Sequence, residues 1–336
     1  MKADEAGQAA LGSPAARAEP PARIRVGFIV GPTGTGKSQL AMELAVAFGN
    51  SIEIVNADSR QFYRGMDIGT AKPSSEDRRR TPHHLIDVRD PDDPLDVAEF
   101  AKLARDAIAS IVARGRIPIV VGGSGLYLRV LRGGIFQGPR ASLEIRRRLA
   151  TVADERGVAY LHQQLSEVDP VGANRIGVND RYRIIRALEV FELTGEPISA
   201  HQERHRFADV GGYDALTVGI ELDRKKLYET IDGRFDAMVA VGFVEEVHAL
   251  MHAGYSADKP PLSAIGYKRI AAHLRGEMTL ADAVSLAKRD SRRLAKRQLT
   301  WFRREPDILW LDPEHGAQDA LPLFEKFFGT RDREAN

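Results

Sequence analysis

Residues Gly31–Ser38 read "GPTGTGKS", which fits the spacing G-x-x-x-x-G-K-[ST]. Such a loop needs glycine where the chain turns tightly, so that successive backbone N–H groups converge on one anion. Lys37 then adds a point charge, and Ser38 offers a hydroxyl to magnesium. Both flanks suit the loop. "IRVGFIV", Ile24 to Val30, is an unbroken apolar run of the kind a buried parallel strand makes. Beyond it, Leu40, Ala41, Leu44, Ala45 and Phe48 recur at helical spacing, which sets the anion at a helix N-terminus. Gly31, Pro32, Thr33, Gly34, Thr35, Gly36, Lys37 and Ser38 are therefore the candidate phosphate site. A chance glycine turn would carry neither flank.

Further along, Ile52 to Asn56 in "SIEIVNADSR" reads as a short strand with Asp58 just past its carboxyl end. "TPHHLIDVRDPDDP" holds another short strand and a Pro/Asp-rich turn. Asp96 and Glu99 frame a capping box for the helix "VAEFAKLARDAIASIVARG". "IPIVVGGSGLYLRVL" is strand, glycine turn, helix. This alternation predicts an α/β fold: a parallel sheet with helices on both faces, and ligands beyond the carboxyl ends of its strands. Asp58, Ser124 and the phosphate loop would project there. From about 139 to 210 the pattern turns helical, before "YDALTVGIELD" returns to strand. Helices follow, the last from Leu280 to about Arg304, and "DILWLD" reads as a final strand. The expected layout is an α/β core over 23–138 and 212–318, a helical insertion over 139–211, a disordered tail over 1–22 and a C-terminal tail over 319–336.

The 336-residue chain is 43% hydrophobic, ample for a core, yet no run approaches the ~18 apolar residues of a membrane span. The first residues have no apolar signal core. Cysteine is absent, which excludes disulfides and thiolate metal sites and fits the reducing cytoplasm expected here. With 48 basic and 47 acidic residues the net charge is only +1, so any nucleic-acid affinity must come from clustering. One cluster stands out. "LAKRDSRRLAKRQLTWFRR" sets Lys288, Arg289, Arg292, Arg293, Lys296, Arg297, Arg303 and Arg304 against Asp290 alone. Arg289, Arg292, Arg293, Lys296 and Arg297 share one helical face, and such single-sign faces contact nucleic-acid phosphates. His83 and His84 are adjacent, diverge in a strand, and read as structural.

A phosphate loop that hydrolyses its ligand is usually partnered by an apolar strand ending in Asp or Glu. Here "IPIVV" runs into Gly122-Gly123-Ser124, and only Asp58 and Asp87 follow other short strands. Hydrolytic machinery is not evident. A small-molecule kinase and an RNA-binding nucleotide switch both remain open on these residues.

"DSRQFYRGMDIGTAKP" (Asp58 to Pro73) narrows the choice. Together with "GPTGTGKS", "PHHLID", "VGGSGLYLRVL", "NDRYRIIRALEV" and "AKRQLTWF", in order from about Val26 to Asp312, it resembles the tRNA dimethylallyltransferase family, of the bacterial type without a zinc finger. The resemblance implies a nucleotide-kinase-like core and a helical insertion that grips the anticodon stem-loop. It implies transfer of a dimethylallyl group from dimethylallyl diphosphate to the N6 amine of the adenosine 3′ of the anticodon, with Mg2+ as cofactor, held in part by Ser38. A monomer is expected. Asp58 is implied as general base; from position alone it could equally be a turn residue. Ser124 stands where the family usually has Thr, supporting the departing diphosphate. Arg234 in "IDGRFDAM" is implied to reach the diphosphate; its plain alternative is a solvated helical arginine. The residues implied to face tRNA are Asp58, Ser59, Arg60, Gln61, Ser124, Arg146, Tyr182, Arg183, Ile184, Ile185, Arg186, Ser263, Ala264, Ile265, Gly266, Tyr267 and Lys268, joined by Arg292, Arg293 and Lys296 of the basic helix. A prenyltransferase using free adenine nucleotide is disfavoured, because a mononucleotide needs neither insertion nor basic helix.

Overall fold

The computed structural model describes residues 23–134, 138–204 and 212–329. The tail expected over 1–22 lies outside them. β1 (Ile24–Val30) is buried from Val26 onward and sits mid-sheet. On one side it pairs with β4 (Ile117–Gly122), which pairs with β2 (Ile52–Asn56) and then β3 (His83–His84). On its other side lie β5 (Tyr213–Ile220) and β6 (Ile308–Leu311). All pairings are parallel, in the order β3-β2-β4-β1-β5-β6. The winding reverses at β1, so the crevice at its carboxyl end is where such a sheet takes its ligand.

Successive side chains of β1 enter different cores, as the two-residue repeat of a strand requires. Ile29 packs with Leu40 and Leu44 of α1 (Lys37–Ala47) and with Phe324 of α14 (Gly316–Phe328). Phe28 and Val30 join the larger cluster on the opposite face. That face carries α3 (Val97–Ala113), α4 (Gly125–Gly133), α10 (Arg224–Ala240), α11 (Phe243–His252), α12 (Tyr267–Leu274) and α13 (Leu280–Phe302). The expected C-terminal tail is corrected here. Residues 319–328 continue a helix whose Ala320 and Phe324 are fully buried, and the interior Pro322 masks it in the sequence. Residues 330–336 lie outside the described set. The capping box is also incomplete. Asp96 accepts from the N–H groups of Ala98 and Glu99, but Glu99 pairs with Arg89 instead of reaching back. A short α2 (Ser75–Arg80) precedes β3, where His84 Nε2 meets Glu53 Oε2 at 2.7 Å and His83 Nδ1 meets the Thr81 carbonyl at 2.7 Å.

Between α4 and β5 the chain forms α5 (Leu143–Arg156), α6 (Val158–Val168), α7 (Pro170–Arg175), α8 (Arg181–Thr194) and α9 (Ile198–Arg204). These have a core of their own, built on Leu149, Leu161, Leu165, Ile184 and Leu188. Beside it, the fully buried Glu189 accepts from Arg146 Nε at 2.9 Å, Arg186 Nη1 at 2.7 Å and the Ser142 N–H at 2.7 Å. Burial raises its carboxyl pKa, but the arginine hydrogen bonds outweigh that and hold it below its ordinary value. Of the expected RNA-facing residues on these helices, Ile184 is corrected by its burial, while the partly exposed arginines also serve the buried carboxylate. Arg146 and Arg186 neutralise Glu189, and Ile184 is core, with Ile185 packed against it. Replacing Arg146 and Arg186 together by alanine strands a buried carboxylate. The expected loss is about 3 kcal/mol, the low end for a broken buried pair because both guanidiniums are partly solvated; a urea titration reads it.

Candidate active site

The phosphate loop links β1 to α1. Gly31 has φ 140°, and a Cβ there would stand 2.7 Å from the Ile220 carbonyl of β5; Gly36 has φ 87° just before the helix. Side chains at either position would be strained. Thr35 Oγ1 donates to the Pro32 carbonyl at 3.0 Å, and Lys37 Nζ donates to the same carbonyl at 2.5 Å. Burial pushes the Lys37 pKa down to about 8, against the pull of Asp58 and with further lowering from Arg234. Diphosphate needs the ammonium form. Affinity of the ligand-free protein for diphosphate should therefore fall as pH rises through about 8. Calorimetric titration across that range should show the bend in wild type and lose it in Lys37→Ala.

Asp58 follows β2 directly. Its N–H donates to Asn56 Oδ1 at 3.0 Å, and its Oδ1 accepts the Arg60 N–H at 2.9 Å. This is an Asx-type turn, so the plain structural role is real. It occupies one oxygen only: Oδ2 accepts no hydrogen bond among the described residues. Burial, offset by Asp58, lowers the Arg234 pKa, which fits a recessed cation and not a solvated one. The glycine after "IPIVV" also has a physical cause. A Cβ on Gly122 would collide with the Ala57 carbonyl, so no carboxylate fits at the end of β4.

Two cavities meet here. The smaller, about 80 Å³, is lined by Lys37, Ser38, Asn56 and Gln61. The larger, about 760 Å³, is lined by Ser59, Arg60, Ser124, Tyr127, Ser263 and Arg297, among others. Their common wall is Thr33, Asp58, Thr70, Gly123, Arg234 and Gln298. Ser124 opens α4, and its hydroxyl makes no cap hydrogen bond to the helix.

Other expected residues divide by position. Ala264, Ile265 and Tyr267 line the larger cavity, although Tyr267 and Gly266 are buried. Lys268, Tyr182 and Arg183 are exposed on the surface. On α13 the expected basic face is changed at one position, Arg292, which is paired. Arg292 meets Asp232 at 2.5 Å and Lys288 meets Asp236 at 2.6 Å, because α10 packs there with its acids forward. Arg289, Arg293, Lys296 and Arg297 are the exposed cations.

Two residues at this site escape sequence reasoning. Glu246 accepts the N–H groups of Asp67 (2.9 Å), Ile68 (2.6 Å) and Gly69 (3.1 Å) and the Tyr267 hydroxyl (2.6 Å). It clamps the segment after Asp58 onto α11, and nothing in its sequence neighbourhood signals that. Gln298 accepts the Thr33 N–H at 2.9 Å and donates to the Gly123 carbonyl at 2.9 Å. It lies within the quoted "AKRQLTWF", where the surrounding charge draws the eye.

A phosphate loop, a carboxylate with one unengaged oxygen, and a cavity of small-molecule size fit a group-transfer enzyme. The family model described as "IPP transferase" matches residues 61–305. The chain belongs to that family. It is 51% identical over 290 residues to a tRNA dimethylallyltransferase of Geobacter metallireducens, covering 86% of this chain and 93% of that one. Among solved structures it is similar to a tRNA isopentenylpyrophosphate transferase of Bacillus halodurans, with TM-score 0.66, 38% identity, and coverage of 90% and 96%. It is also similar to a eukaryotic dimethylallyltransferase acting on tRNA, with TM-score 0.75, 27% identity, and coverage of 93% and 81%. Among the described residues no helix is long and apolar enough to cross a membrane.

Proposed function

We propose that the protein transfers a dimethylallyl group from dimethylallyl diphosphate to the N6 amine of the adenosine immediately 3′ of the anticodon in tRNA, in the cytoplasm. The observation that carries the reading is Asp58, on the wall common to both cavities, with Oδ2 unengaged. Diphosphate in the smaller cavity lies against Lys37, Ser38 and Arg234. Adenine entering the larger one meets Asp58 from the other side. The amine nitrogen attacks the allylic carbon, the carbon–oxygen bond breaks, and its electron pair leaves on diphosphate. Asp58 Oδ2 takes the amine proton. A carboxylate placed against the amine is a proton acceptor of the kind general-base catalysis uses. Lys37 and Arg234 neutralise the departing charge, and the Ser124 hydroxyl supports it.

Magnesium fits this donor set. Mg2+ takes hard oxygen ligands, and a phosphate-loop hydroxyl beside phosphate oxygens and water supplies them. Ser38 would hold it, and the ion would offset diphosphate charge. The target base must leave its stack, at a cost of a few kcal/mol that tRNA contacts offset. Tyr182, Arg183, Lys268, Arg293 and Lys296 are surface groups available for those contacts. A kinase reading is disfavoured because the 760 Å³ cavity and the exposed cations of α13 exceed what a small acceptor needs. The test is acceptor choice: an anticodon stem-loop with adenosine at the target position should be prenylated. The same stem-loop with guanosine there, and free AMP, should not. Equal transfer to AMP would overturn the tRNA assignment.

A further inference from the structure

Asn56 closes β2, is only 4% exposed and lines the smaller cavity. Its Oδ1 accepts the Asp58 N–H at 3.0 Å, and Asp58 Oδ1 in turn accepts the Arg60 N–H at 2.9 Å. Two Asx turns thus run in tandem, and the first places the second. The Asn56 amide is itself anchored. Its Nδ2 donates to the Leu85 carbonyl at 3.0 Å and, more weakly, to the Asp58 carbonyl at 3.4 Å. It cannot be turned round, because oxygen must face the N–H and nitrogen the two carbonyls. Leu85 is buried and has φ 62°, a conformation that persists only where its surroundings hold it. Between Asn56 and Asp58, Ala57 is fully buried and its N–H donates to the Val121 carbonyl of β4 at 2.8 Å. The backbone that carries Asp58 is therefore tied to β2, to β4 and to the segment that follows β3.

We infer that Asn56 is a positioning residue for the transfer reaction: it holds the Asp58 carboxylate on the wall common to both cavities, with Oδ2 left for the amine. Asparagine is the residue type this task requires. Oδ1 must accept and Nδ2 must donate, whereas an aspartate at 56 would turn a carboxylate oxygen onto the Leu85 carbonyl in a buried place. At 58 the requirement is reversed, because a proton must be taken there. The order Asn-x-Asp matches the two tasks, and Asp-x-Asn would serve neither. The inference rests on the reading of Asp58 as base.

The test is a double-mutant cycle of Asn56→Ala and Asp58→Asn in the full chain. Single-turnover transfer to tRNA is measured for each variant, beside calorimetric affinities for inorganic diphosphate with magnesium and for tRNA. Asn56→Ala alone should slow transfer about thirtyfold, as a displaced base does, with both affinities within about threefold. In the Asp58→Asn background the same change should alter the residual rate by less than about twofold, because no base is left to misplace. Asn56→Ser can still accept the Asp58 N–H and should recover part of the rate. Its smaller loss should vanish in the Asp58→Asn background too, which keeps the test alive if Asn56→Ala does not fold. Losses that multiply across the cycle, or diphosphate affinity that falls as far as the rate, would mean that Asn56 only holds the local fold, and would overturn the inference. So would Asn56→Ala at the wild-type rate. With Asp58→Asn slow, those results leave the proposed reaction standing. A wild type that prenylates no RNA, or Asp58→Asn at the wild-type rate, would instead overturn the proposed reaction or its base, and this inference with it.

Discussion

Asp58→Asn should transfer the dimethylallyl group about 10²- to 10⁴-fold more slowly than wild type in single-turnover reactions, with tRNA affinity within a few-fold. That range corresponds to roughly 3 to 5.5 kcal/mol of barrier. Asparagine is the informative replacement because it can keep the acceptor that Asp58 Oδ1 presents to the Arg60 N–H. The turn survives, and only the ability to take a proton is removed. Asp58→Ala should be at least as slow but also loosens the turn, so it separates chemistry from structure less cleanly. Ser124→Ala should slow transfer, and Ser124→Thr should leave it similar or faster, since β-branching restricts the rotamer that presents the hydroxyl. A wild-type rate in Asp58→Asn would remove Asp58 from the role of base, whatever family the chain belongs to.

The second large effect concerns the exposed cations of α13. Replacing Arg293, Lys296 and Arg297 together by alanine should weaken tRNA binding about 10²-fold at low salt. It should also flatten the log–log salt dependence by roughly 2 to 3, at about 0.7 to 0.9 for each phosphate that is no longer neutralised. Arg292→Ala is the contrasting variant. Arg292 is paired with Asp232 of α10, so its removal should cost stability on the order of 1 kcal/mol and leave the salt slope in place. Filter-binding or anisotropy titrations over a series of salt concentrations read both. An unchanged slope in the triple variant would mean that these cations face solvent only.

Much of the core was legible because its signals are local. The apolar run of β1, the glycines of the loop and the helical spacing after it sit within Ile24–Ala47, and the structure assembles them in that order. The switch from alternating strands to helices at about 139 likewise coincides with the separate core around Leu149 and Leu161. Errors came where a side chain's partner lies far along the chain. Arg146 reads as solvent-facing until Glu189, forty-three residues away and buried, takes it. Arg292 reads as part of a basic face until Asp232, sixty residues away, takes it. Gln298 and Glu246 were invisible as site residues for the same reason: their partners are the backbone groups of remote segments, and backbone groups leave no trace in composition. The C-terminal helix was obscured by Pro322, which its interior position tolerates while Phe324 buries itself against β1.

The central claim is a covalent change in tRNA. The protein is incubated with unmodified tRNA, dimethylallyl diphosphate and magnesium, the RNA is digested to nucleosides, and the adenosine fraction is analysed by mass spectrometry. A new adenosine species, heavier by a dimethylallyl group less the proton it replaces and mapping to the position 3′ of the anticodon, is the predicted result. Vigorous hydrolysis of ATP by the same preparation, with every adenosine left unmodified, would contradict it.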